Sequence, residues 1–180
     1  MHELQAAWDF AVALYGRPGV SSACIALQDR RGADVIVMLG LINRAVRGAS
    51  APSDSRLRQA LTVAQPFSDG VQAIREQRRL LKRQQWDNPQ AVAQIEAALP
   101  TIIGTERASE RAELAVFLPE LGLPERQSAD ALGEAARALS TYWRVAGLDC
   151  DATDRASIGV ILAQAFPDQA ARAAIEQAFT

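Results

Sequence analysis

Residues 34–47 read DVIVMLGLINRAVR, and the fold turns on whether this run is a strand or a helix. Val35-Ile36-Val37 is β-branched and could begin a strand. The apolar register, however, continues to Val46, longer than an ordinary strand, so a helix is expected. A helix apolar almost all round has no solvent side. It is therefore expected at the centre of the fold, near 34–47.

Working outward, the preceding residues QDRRGA (28–33) are charged where the run is greasy. Gly32 tolerates a positive φ and suits the end of a helix. Arg30 and Arg31 would then sit in its last turn, where the helix dipole favours cations. Asp34 can accept from the free N–H groups that open the next helix. Asp29 has no such local reason, so Asp29 and Asp34 are kept as a possible functional carboxylate pair.

The remaining pattern is helical. Leu4, Trp8, Ala11, Val12 and Tyr15 share one face of a first helix that Gly16 and Pro18 stop. Pro18 is expected to open a second helix carrying Val20, Cys24 and Leu27. GASAPSDS (48–55) is a linker, and Ser53 or Asp54 caps a helix that should bend or break at Pro66. Another helix is expected over 67–85. Asn88-Pro89 starts the next. That one should reach Pro119, kinked or interrupted near Pro100 and Gly104. A connector is expected from Pro119 to Gln127. Ser128 is expected to cap a helix to Val145, Thr153 or Asp154 to begin another, and Pro167-Asp168 to precede a last short one. The expectation is a single all-α domain over 1–180, a bundle of seven or eight helices.

Composition narrows the function classes. Of the 180 residues 49% are hydrophobic and 22% charged, an ordinary globular balance, and the net charge of −2 argues against general nucleic-acid binding. Cys24 and Cys150 form neither a disulfide framework nor a zinc motif. Residues 1–17 carry Glu3 and Asp9 and lack a basic leader pattern. The longest apolar stretch falls well short of the roughly 20 residues of a membrane span. A cytoplasmic protein without membrane contact is expected.

WDFAVALYGRPGV (8–20) followed by CIALQDRRGADV (24–35) resembles a family of short, mainly proteobacterial proteins of unassigned activity. The likeness rests on Trp8, Asp9, Phe10, Tyr15, Pro18, Gly19, Val20 and Cys24. It continues through Leu27, Gln28, Asp29, Gly32, Ala33, Asp34 and Val35. It is dense only in the first quarter of the chain. Ile36 stands where the family often has Asn. The resemblance implies an all-helical protein and supplies no activity.

Few residues suggest chemistry. Glu106, Glu110 and Glu113 share a helical face and could form an oxygen-only metal site, though an exposed face paired with arginines explains them better. Arg75, Arg79, Lys82 and Arg83 make a basic stripe beside Trp86. It could touch RNA, or face the glutamates within the molecule. LDCDATD (148–154) fails as a calcium loop, because its sixth and twelfth positions hold Asp154 and Val160. With one histidine and no Gly-rich phosphate loop, the usual catalytic sets are missing and no cofactor is expected. The expectation is an interaction or scaffold protein that binds a protein partner or itself. The alternative is a ligand-binding protein or enzyme using Trp8, Asp9, Tyr15, Gln28, Asp29 and Asp34.

Overall fold

Asp34 settles the opening question. Its Oδ1 accepts from the backbone N–H groups of Ile36 (3.1 Å) and Val37 (3.3 Å), capping helix Val35–Val46. The computed structural model describes residues 2–123, 127–167 and 169–179, and His2 by its backbone only. In them the chain forms eight helices and no strand: α1 (His2–Tyr15), α2 (Val20–Arg31), α3 (Val35–Val46), α4 (Asp54–Arg83), α5 (Pro89–Glu120), α6 (Ala131–Val145), α7 (Ala152–Ala165) and α8 (Ala171–Ala178). Among these residues no single helix is long and apolar enough to cross a membrane.

The protein is an all-α bundle with α3 at its centre. From Val35 to Asn43 every residue of α3 is buried. Each fully buried Ile, Leu or Met contributes about 1.5–3 kcal/mol through removal from water. Helices α1, α5 and α6 pack on α3, α7 lies on α2, and α8 closes against α6 and α7. Gly40 lets α5 come close: a Cβ there would lie 2.9 Å from Leu114 Cδ1.

Several boundaries differ from the sequence expectations. Pro66 does not break α4, and Pro100 and Gly104 do not interrupt α5. A proline in a helix removes one N–H bond to the carbonyl four residues earlier. Pro66 and Thr62 are both exposed, as are Pro100 and Glu96, so water can take the freed carbonyls. The two long helices pack on each other. Gly19, with φ 78°, precedes α2 in place of a start at Pro18. Asp130 rather than Ser128 caps α6, accepting from the Gly133 N–H at 2.9 Å. Asp151 caps α7 in a reciprocal capping box with Asp154. The expected connector 119–127 lies partly outside the described residues, as does Asp168.

Arg30 and Arg31 do more than end α2. Arg31 Nε reaches Asp154 Oδ2 at 2.7 Å and Arg30 Nη1 reaches Asp154 Oδ1 at 3.1 Å, tying α2 to α7. Asp154 is fully buried, so these arginines neutralise a charge that burial would otherwise penalise.

Candidate functional site

Helical spacing builds a cleft where α1 to α5 meet. Trp8, Ala11, Val12 and Tyr15 of α1 follow one face, and Ile25, Gln28 and Asp29 of α2 another. Arg75, Arg78 and Arg79 of α4 stand across from them, beside Ile103, Glu106, Arg107 and Glu110 of α5. Together with Val35, Ile36 and Leu39 they enclose about 700 Å³. Val12 is 56% exposed, Tyr15 38% and Ile25 46%, all on this one hollow. An apolar wall left open to solvent in this way suits a ligand's apolar body.

The charged side of the hollow is clamped. Arg75 Nε lies 3.1 Å from Glu106, and a second nitrogen of Arg75 is paired with Glu110. Arg78 Nε lies 2.6 Å from Glu106, and Arg79 lies 2.6 Å from Asp29. Arg75 and Glu106 are both buried. Burial pushes the Glu110 carboxyl above its ordinary range, against the pull of Arg75. Burial is the largest influence and opposes the Arg75 charge, but the bond to Glu110 together with the charges of Glu110, Asp34 and Glu106 outweighs it, and the guanidinium titrates above its usual value. The Tyr15 hydroxyl is raised too, mainly by burial and then by Cys24 and Glu110.

A second hollow of about 610 Å³ shares Gln28, Asp29, Arg75 and Arg79 with the first and is lined mainly by polar side chains. Gly32, Ala33 and Asp34 form one side of it. Gln65, Ser68, Asp69 and Gln72 of α4 form the other, with exposed Arg83. Ser68 Oγ lies 3.0 Å from Asp34 Oδ2 and also contacts Glu113 Oε1. The N–H of Asp34 donates to the Tyr142 hydroxyl at 2.7 Å. The buried Tyr142 hydroxyl is raised above its ordinary range by desolvation and then by Asp34.

The Ser68 contact has a stoichiometric consequence. One hydroxyl carries one proton and cannot donate to two carboxylates. If Ser68 donates to Asp34, Glu113 must carry a proton and donate to Ser68. The environment agrees: Glu113 is 1% exposed, and burial, followed by the neighbouring Asp34 charge, pushes its pKa up to about 9. Cys24, by contrast, is a buried thiol pushed up to about 12 by burial alone, and it packs as a small hydrophobe.

Of the residues singled out from sequence, Trp8, Tyr15, Gln28 and Asp29 line the first hollow, and Gln28, Asp29 and Asp34 the second. Asp9 stands apart, exposed and accepting from Gln5 at 2.7 Å. Glu106 and Glu110 line the first hollow but are held by arginines, and Glu113 is held by Ser68. No group of three metal-binding side chains occurs among the described residues. The basic stripe is divided. Arg75 is 8% exposed and so is not on the surface, and Arg79 is paired with Asp29, whereas Lys82 and Arg83 are exposed. Ser68, Arg78, Ile25 and Ile103 were not anticipated. Their signal was the three- or four-residue spacing to Gln72, Arg75, Asp29 and Glu106 or Arg107, readable only once the facing helices are known.

Residues 6–117 match the family model described as "Protein of unknown function (DUF2390)". The chain belongs to this family. The matched segment contains every residue lining both hollows, and Glu113 as well, while α6 to α8 fall outside it. No curated protein and no solved structure matches the chain.

Proposed function

We propose that this DUF2390 chain binds a small amphipathic molecule in the paired hollows. The apolar body would lie on the wall of Val12, Tyr15 and Ile25, and the polar end would reach the second hollow. The observation that carries this reading is the concentration of exposed large hydrophobics on a concave face, next to buried charges that are held in fixed pairs. Pre-paired charges cost little reorganisation when a ligand arrives. The test uses 2-phenylethanol as a probe, followed through the Trp8 indole N–H in NMR spectra. The expected result is a saturable shift in wild type that is lost in Ile25→Glu, a change at a half-exposed position. No shift at millimolar probe, or the same shift in the variant, would overturn it.

A second reading keeps the scaffold role, on one observation. Between Arg75 and Glu106 no residue is buried, and the hairpin there exposes Leu80 (61%) and Trp86 (37%). Such an arm suits contact with a protein partner or a second copy. Light scattering at rising concentration checks self-association: a mass increase abolished by Leu80→Glu supports it, and a concentration-independent monomer removes it.

A further inference from the structure

We infer that the polar hollow takes the cationic end of the ligand, an ammonium or similar group, and that its arrival expels the proton held between Glu113 and Asp34. The inference rests on the cleft-binding reading and adds the charge of the ligand. Within this hollow the cations are mostly spent: Arg75 is committed to Glu106 and Glu110, and Arg79 to Asp29. What remains facing it is the Asp34 carboxylate, Asp69 bonded to Gln65, the side-chain amides of Gln28 and Gln72, and exposed Arg83. An anion would meet the repulsion of the Asp34 carboxylate, whose oxygens already accept from Ile36, Val37 and Ser68. A neutral group would find hydrogen bonds but gain no charge compensation.

Glu113 supplies the independent observation. It is almost wholly buried, its carboxyl is directed at Ser68 and Asp34, and its Oε2 meets no hydrogen-bond partner. Asp34 on α3, Ser68 and Arg75 on α4 and Tyr142 on α6 are the groups that face it. Only Arg75 is cationic, and it is engaged elsewhere. Burial and the Asp34 charge outweigh the pull of Arg75, so the pair holds one proton. A ligand ammonium beside Asp34 supplies that cation. The Glu113 proton then leaves to solvent, and the Ser68 proton stays between two carboxylates. Charge balances, because one positive charge enters and one leaves. By linkage, affinity for the cation rises with pH, by at most about tenfold per unit, until Glu113 is already deprotonated in the free protein.

The experiment compares 2-phenylethylammonium, 2-phenylethanol and 3-phenylpropanoate, which share an aryl body, by calorimetry between pH 6.5 and 8.5 in buffers of different ionisation enthalpy. The expected result is at least about tenfold tighter binding of the ammonium probe, a release approaching one proton, and loss of that release in Glu113→Gln. The Gln amide can still donate to Ser68. Should that variant fail to fold, the wild-type proton count decides alone. If the alcohol or the carboxylate binds as tightly, or no proton is released, the inference falls and the cleft-binding reading stands. If none of the three binds, both fall.

Discussion

Ser68 donates its hydroxyl to Asp34, with Oγ 3.0 Å from Oδ2, and so joins the middle of α4 to the cap of the buried helix α3. The same hydroxyl contacts Glu113 Oε1 of α5. A short polar chain thus ties together the three helices that frame the cleft. Ser68→Ala removes the bridge and leaves two carboxyl groups facing each other. Loss of a buried hydrogen bond of this kind costs about 1–3 kcal/mol. Urea denaturation at neutral pH should show that loss, and an unchanged midpoint would mean that the bridge contributes nothing.

The protonated Glu113 sets the slope of stability against pH. Its folded-state pKa, about 9, lies above the ordinary value of 4.5 that it recovers on unfolding. Its contribution is therefore complete below the unfolded value and declines as pH rises toward 9. Wild-type stability should fall across pH 5 to 9, more steeply than that of Glu113→Gln. Parallel curves for the two proteins would exclude a raised Glu113.

The acid side depends on another carboxylate. The Asp154 amide that it caps, and after it Arg30, hold Asp151 down at about 2, below its ordinary 3.8. The stabilisation is present above the ordinary value and is lost as pH falls through about 2. Asp151→Ala should remove the cap, lower stability at neutral pH, and flatten the acid limb of the stability curve. A variant with the wild-type acid midpoint would contradict the assignment.

Packing between α3 and α5 is tested at Gly40. The Leu114 methyl leaves no room for a Cβ, so Gly40→Val forces the helices apart. Overpacking of this kind costs about 1–3 kcal/mol. Thermal melting should fall by several degrees. An unshifted melt would mean that the two helices do not approach as closely as described.

Much of the fold was readable in the chain because the signals were local. Asp34 caps the helix it precedes, Gly32 ends the one before it, and Asn88-Pro89 opens α5. Pro66 and Pro100 do not break their helices, because a break depends on what the rest of the helix packs against, and the α4–α5 contact is long-range. The site was legible by halves. Trp8, Tyr15, Gln28, Asp29 and Asp34 come from two adjacent segments with distinct composition, and they converge. Ser68 and Arg78 lie in polar helix that resembles any solvated face until α5 and α2 are placed opposite. Asp9 adjoins Trp8 in sequence but points away from the hollow, exposed and bonded to Gln5.

Stability should also differ along the molecule. The hairpin between Arg75 and Glu106 buries no residue, whereas α3 is almost entirely enclosed. Amide hydrogen exchange should be far faster over 77–104 than over 36–45. Equal protection in the two segments would show that the arm is covered by something else, a second copy included.

The central claim is that Glu113 holds a proton beside a charged Asp34 at neutral pH. Carbon-13 NMR titration of the glutamate side-chain carboxyls measures it directly. The account predicts one carboxyl, absent from the spectrum of Glu113→Gln, that titrates near pH 9. A Glu113 resonance already deprotonated at pH 6 would contradict it.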